Sequence, residues 1–316
     1  MQTVAANRRM RRRRAASAFR RYVIILVVAA IGAIALWVGG SVMVTRTRFY
    51  VHTSPYAFDV IADQRFALSG AHHELLVVGD SSALIGVIPE DVTRQTGLDT
   101  YDLALYASAG IGSYDRVLEN YMAHNAAPEI VVLYVTAMEP AFERQDGAYE
   151  RTLILFRYGS LSDIATAIAR DPGVTIWPAA MLRKTWRKRD WHGQYYDTLL
   201  AELTRNRGHM AMPKASLSDA CAFDSRADIS SKDALVAFRR KWAARIAHVA
   251  LYIAPMAACD RAYSYYVAEY RGIADNEIAQ LPGHLMVDNA HPTPEGAHEA
   301  SRLLAEFVGR WRQNWK

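Results

Sequence analysis

Tyr22 to Val44 is a run of 23 residues without one charged side chain. A helix needs about 20 apolar residues to cross the hydrocarbon core of a bilayer, so the run is long enough to span one. The residues before it include eight arginines (Arg8, Arg9, Arg11 to Arg14, Arg20 and Arg21) and no acid. Arginines at that density stay on the cytoplasmic side, which sends everything after Thr45 outward. The expectation is a single-pass protein of the inner (cytoplasmic) membrane, its N-terminus cytoplasmic and its body extracytoplasmic, in the periplasm. A cleaved signal peptide competes with this reading, but its apolar region is only ~7 to 15 residues long. The chain therefore divides into a basic tail (1–21), a transmembrane helix (22–44), a stalk of mixed aromatic and polar residues (45–73) and a domain (74–316).

The same tail explains the charge. Taking its eight arginines from the formal net charge of +5 leaves about −3 for the rest. The basic character is thus a topology signal, and no basic stripe remains for nucleic acid. Two cysteines occur, Cys221 and Cys259, both in the exported part. In an oxidising compartment they either form one disulfide or stay as two unconnected buried thiols, and their spacing does not decide which.

Within the domain, Glu74 to Gly86 (ELLVVGDSSALIG) reads as a buried strand ending in a tight turn. The run Leu75 to Val78 is short and apolar, as in a parallel strand covered on both faces. Gly79 lets the chain turn, and Asp80, Ser81 and Ser82 fall where the next helix begins. A serine there sits beside unpaired backbone N–H groups, a setting that suits a nucleophile whose product oxygen carries negative charge. Near the other end stands Asp288 to Ala297, DNAHPTPEGA. Asp288 and His291 share one short loop, followed by Thr293 as N-cap and Pro294 as first helical residue. That spacing lets the carboxylate hold one imidazole nitrogen while the other faces a serine.

GDS after a strand, together with DxxHPTPEGA before the last helix, resembles the SGNH/GDSL hydrolase superfamily over roughly Glu74 to Val308. The resemblance implies a three-layer, flavodoxin-like α/β fold with a parallel sheet. It makes Ser81 the nucleophile, His291 the general base and Asp288 the residue orienting that base. The GxSxG elbow of the α/β hydrolases is absent. Ser81 and Gly110 would donate backbone N–H groups to the oxyanion, with Gly112 as the alternative to Gly110. The family's third donor is an asparagine after the third strand, where this chain has Thr136, Ala137 and Met138. A thioether donates no hydrogen bond, so the third donor is open; the Thr136 hydroxyl is one candidate. Glu139 reads as a solvated loop carboxylate.

The other elements read as a helix over Pro89–Gly97, a strand over Thr100–Tyr106 and a helix over Tyr114–His124. A strand over Glu129–Val135 follows. Residues 149–230 read as an insertion with clustered tryptophans and bases (Trp186, Arg187, Lys188, Arg189, Trp191). It either lies against the membrane or site, or is a solvated helical face. A helix over Asp233–His248, a strand over Val249–Ile253, a helix over Asp260–Arg271, a fifth strand over Leu285–Val287 and a last helix over Pro294–Trp311 complete the pattern. Strands alternating with helices imply a parallel sheet with ligands at its C-terminal edge.

The function expected is serine acyl transfer with no cofactor and no metal. A metal set of Asp288, His291, Glu295 and His298 lacks any strong ligand spacing. The anchored architecture resembles accessory proteins of envelope O-acyltransferase systems, namely alginate acetylation proteins and the D-alanyl transfer protein of teichoic acid synthesis. That resemblance implies an envelope polysaccharide as substrate and a multi-span membrane O-acyltransferase as partner. The alternatives are a general lipid or carboxyl ester hydrolase and a non-catalytic glycan-binding or assembly protein.

Overall fold

A computed structural model describes residues 2–142, 149–175, 186, 188–212 and 215–313 of the chain. Helix α1 (Gln2–Thr45) contains the apolar run. Its part Phe19–Thr45 is long and apolar enough to cross a membrane, with a mean hydropathy of 2.6 and nothing of its apolar window buried. Among its described side chains, those near its C-terminal end meet protein. Val38, Ser41, Val42 and Thr45, three and four residues apart, are covered on one face.

Residues 45–73 are not a stalk. They form α2 (Arg48–His52) and α3 (Ala57–Ala67), and Tyr50, Val51, Phe58, Val60 and Ile61 enter the main core. The helical period is hidden because α3 also buries Asp59, Gln64 and Arg65. Burial of these polar groups is tolerated because each is bonded. Tyr149 donates to Asp59 Oδ1 at 2.8 Å and Arg65 Nη2 donates to the Gly208 carbonyl at 2.7 Å. Two arginines clamp the end of α1 to the body. Arg46 Nε donates to the Phe156 carbonyl at 3.0 Å, and Arg157 donates to the Thr47 carbonyl at 3.0 Å and to Asp63 at 2.7 Å.

The domain is α/β. Strands β1 (Leu75–Gly79), β2 (Thr100–Asp102), β3 (Ile130–Val135) and β4 (His248–Ile253) form one sheet in the order β2-β1-β3-β4. All three pairings are parallel. Every residue of β1 and β3 is buried, which is why their sequences are unbroken apolar runs. Gly79 is required where β1 ends, since a Cβ there would lie 1.7 Å from the Tyr134 carbonyl oxygen on β3. After β1 come α4 (Ser81–Gly86) and α5 (Pro89–Thr96), and after β2 comes α6 (Ile111–His124). β2 is shorter than its alternating sequence suggests, although Leu103 and Leu105 still donate to the Val77 and Gly79 carbonyls of β1 at 2.7 and 2.9 Å.

The expected fifth strand is not formed. Gly283–Leu285 is a 3₁₀ turn, and Met286 bridges back to Pro292 of its own loop. The edge of β4 that a fifth strand would need is already occupied by side chains. Leu251 N–H donates to Asp275 at 2.7 Å, and Ile253 N–H donates to Asn276 at 2.8 Å. Asn276 returns a bond to the Ile253 carbonyl at 3.0 Å, so this edge is closed without a strand.

The described residues of 149–230 send side chains such as Leu153, Tyr196, Leu203 and Ile229 into the main core. After the short α7 (Glu139–Phe142), α8 (Tyr149–Tyr158) buries Leu153, Ile154 and Phe156. Helices α9 (Leu161–Arg170) and α10 (Gln194–Arg205) follow. Arg189 is buried, lies 5.0 Å over the Tyr50 ring and donates to Thr53 Oγ1 at 2.6 Å, while Trp186, Lys188 and Trp191 are exposed, so Arg189 pins a stretch whose tryptophans face outward. Arg187 lies outside the described residues. Beyond α11 (Asp233–Ala243) and β4, a disulfide joins Cys221 to Cys259. A two-stranded parallel pair, β5 (Met256–Ala257) and β6 (Gln280–Leu281), flanks α12 (Tyr263–Tyr270). The last helix is α13 (Pro294–Gln313).

Candidate active site

Ser81 opens α4, immediately after the β1 turn. Asp80 fixes that turn from both sides. Its Oδ1 accepts from the Ser82 N–H at 2.8 Å, and its Oδ2 accepts from the Thr136 N–H at 2.7 Å, which ties the end of β1 to the end of β3. Burial pushes the Asp80 carboxyl up from its ordinary range, opposed by its bonds from Ser82 and the Thr136 N–H. From the sequence this residue had no role beyond its place in GDS, where the helix begins; the structure makes it the N-cap of α4.

The histidine loop is built around Asp288. Asp288 Oδ1 accepts from the Ala290 N–H at 2.9 Å and the His291 N–H at 2.8 Å, so the loop turns over its own carboxylate. The loop closes on itself where Val287 N–H donates to the His291 carbonyl at 2.8 Å and Thr293 N–H to the Leu285 carbonyl at 2.9 Å. Thr293 Oγ1 then accepts from the Gly296 N–H at 3.0 Å and caps α13.

These two segments meet. Ser81 Oγ lies 2.8 Å from His291 Nε2, although the residues are 210 positions apart in the chain. On the far side of the ring, His291 Nδ1 lies 2.9 and 3.0 Å from the two Asp288 oxygens. The carboxylate therefore holds the proton on Nδ1 and leaves Nε2 as the acceptor facing the hydroxyl. Burial works to raise the Asp288 pKa, but the bond and charge of His291 and the backbone N–H groups of Ala290 and His291 outweigh it. The carboxyl sits below its ordinary range.

Of the two glycines considered as oxyanion donors, the structure leaves the N–H of Gly112 open and occupies that of Gly110. Gly110, at φ +73°, turns the chain into α6, but its N–H is taken up by the Ala107 carbonyl at 3.0 Å. Among the described residues the N–H groups of Ser81 and Gly112 have no partner, and a Cβ on Gly112 would meet nothing within 4 Å. The Thr136 N–H is committed to Asp80. The Met138 sulfur faces the Asn289 side chain, whose amide nitrogen lies 3.2 Å away. That carboxamide has no other side-chain partner among the described residues, and a thioether is a weak acceptor. Asn289 was not singled out from the sequence, where nothing linked it to position 138. Glu139 is buried rather than solvated, and accepts from Tyr114 OH at 2.8 Å.

The metal set is not assembled. His298 Nδ1 pairs with Asp91 Oδ2 at 2.5 Å, and with Glu295 lines a separate groove along α5 and α13. Among the described residues no three His, Cys, Asp or Glu side chains cluster closely enough to hold a metal ion.

No protein-family model and no curated protein matches this chain.

Proposed function

We propose that the chain is a membrane-anchored extracytoplasmic serine acyl esterase or O-acyltransferase of the SGNH/GDSL type, acting on acyl groups of an envelope polysaccharide. The observation that carries this reading is the hydrogen-bonded series Ser81, His291, Asp288, assembled from opposite ends of the chain. The strand order β2-β1-β3-β4 also supports it. This is the flavodoxin-like order short of its fifth strand, and its direction reverses between β1 and β3, where such folds bind ligands. We read the body accordingly as a three-layer fold.

In the mechanism, His291 Nε2 takes the Ser81 proton as Oγ bonds to the ester carbonyl carbon. The tetrahedral oxyanion collapses, the alcohol leaves with the proton from His291, and the acyl group stays on Ser81. Water or a sugar hydroxyl then gives its proton to His291, attacks the acyl carbon and releases Ser81. The Ser81 and Gly112 N–H groups and the Asn289 carboxamide donate to the oxyanion, Asn289 taking the place that Met138 leaves empty. The inner membrane is the anchor's location, and a multi-span O-acyltransferase beside it is the proposed acyl source.

Hydrolysis of p-nitrophenyl acetate by the purified full chain tests this reading. Turnover by wild type that falls to background in Ser81→Ala is expected, and release that rises with added polysaccharide assigns transfer. Equal rates in wild type and Ser81→Ala overturn it.

A further inference from the structure

A groove of about 660 Å³ runs between the anchor and α9. Ile31, Ile34 and Val38 wall it on one side and Leu161, Ile164 and Ile168 on the other. Arg46 is the one charged residue among those lining it. At 1.5 Å of rise per residue, Ile31 lies about 22 Å below Arg46, well inside the apolar span. The lower half of the groove is thus at hydrocarbon depth, where no water is present to fill it.

Helix α9 is built for that height. Its polar side is held to the body, with Asp163 closing the Ser160 capping box and pairing with Arg116 at 2.9 Å. Its apolar side joins Val42 and Phe156 through Ile164. Leu161 is nonetheless 70% exposed, which water does not favour and lipid does. Trp37 Nε1 donates to the Thr175 carbonyl at 3.0 Å and fastens the segment after α9 to the span. Phe49, just past the anchor, and its neighbour Trp191 (ring centroids 6.2 Å apart) add exposed aromatic rings of the kind favoured at the headgroup level.

We infer that α9 lies in the outer interface of the bilayer and that the groove beside it holds an acyl chain of a phospholipid whose phosphate pairs with Arg46. Arg46 is suited to this. Its Nε and Nη2 are held by the Phe156 and Gly159 carbonyls, which aims the guanidinium and leaves Nη1 for the anion. The inference rests on the anchor crossing a bilayer and is independent of the reading of Ser81. A body clamped at two points stands at one height above the membrane, unlike one on a loose tether.

The test uses the full chain in phosphatidylcholine vesicles containing phosphatidylglycerol with a diazirine in one acyl chain. Illumination is expected to leave adducts on 161–168 as well as on 31–43. Ala35→Trp, which fills the groove, lowers the α9 adducts several-fold and leaves those on the anchor. Arg46→Gln lowers capture of phosphatidylglycerol relative to a phosphatidylcholine probe. Adducts confined to the anchor, or α9 adducts unchanged by Ala35→Trp, overturn the inference. So does a Leu161→Cys thiol that reacts with a charged maleimide as fast as one at exposed Glu277.

Discussion

The amide nitrogen of Asn289 stands 3.2 Å from the sulfur of Met138, so the histidine loop brings a carboxamide to the segment that follows β3. If it donates to the oxyanion, Asn289→Ala lowers kcat for aryl acetates by about 10²- to 10³-fold, with KM little changed. Adding Met138→Asn to that variant restores part of the loss, because the donor then comes from the other side of the same contact. Steady-state kinetics of the three proteins checks both statements.

Gly79 carries the closest backbone approach in the sheet beside the site. A Cβ would meet the Tyr134 carbonyl oxygen at 1.7 Å, and main-chain atoms of two paired strands have little room to yield. Gly79→Ala is expected to destabilise the domain by about 3 kcal/mol or more. Thermal unfolding of the variant, compared with Gly97→Ala in the exposed cap of α5, measures it.

The pH dependence of stability has an identifiable contributor in His209. It is buried, its Nδ1 has no hydrogen-bond partner, and burial pushes its pKa down to about 4. An unfolded histidine titrates near 6.5, so between about 6.5 and 4 the unfolded chain takes up a proton that the folded chain refuses. Stability then falls as pH falls, by up to about 1.4 kcal/mol per pH unit. Asp59 and Asp102, pushed up to about 6 by burial, act with the opposite sign, losing stability as pH rises through that range. The difference between wild type and His209→Asn cancels those carboxyls. Denaturant unfolding at pH 7.5 and 5 is expected to show the variant gaining on wild type at the lower pH.

The Cys221–Cys259 disulfide closes a loop with a sequence separation of 38. On the chain-entropy account such a crosslink stabilises by about 3 to 4 kcal/mol, and the double Cys→Ser variant should lose that amount. Unfolding with and without reductant gives the same number for wild type if the bond is the cause.

Some of this was readable from local pattern and some was not, for reasons that lie in particular residues. Leu75–Val78 and Ile130–Val135 were legible because strands covered on both faces are continuously apolar. Ser81, Asp288 and His291 were legible as candidates because a turn glycine and a three-residue spacing are local features. Helix α3 was not, because buried Asp59, Gln64 and Arg65 break its apolar period and find partners far along the chain. Nor was the sealed edge of β4, where Asp275 and Asn276 bond backbone groups more than twenty positions away. The Cys221–Cys259 pair required a Cα separation of 5.5 Å that no spacing rule supplies. The Asn289–Met138 contact is likewise long-range.

The central claim is that His291 activates the Ser81 hydroxyl 2.8 Å from its Nε2. Reaction of the full chain with a fluorophosphonate, followed by mass mapping of the adduct, tests it most directly. The account predicts one phosphonyl group on Ser81, none in Ser81→Ala, and labelling slowed by about 10²-fold or more in His291→Ala. A folded wild-type protein that takes up no phosphonyl group, or takes it up equally fast without His291, would contradict it.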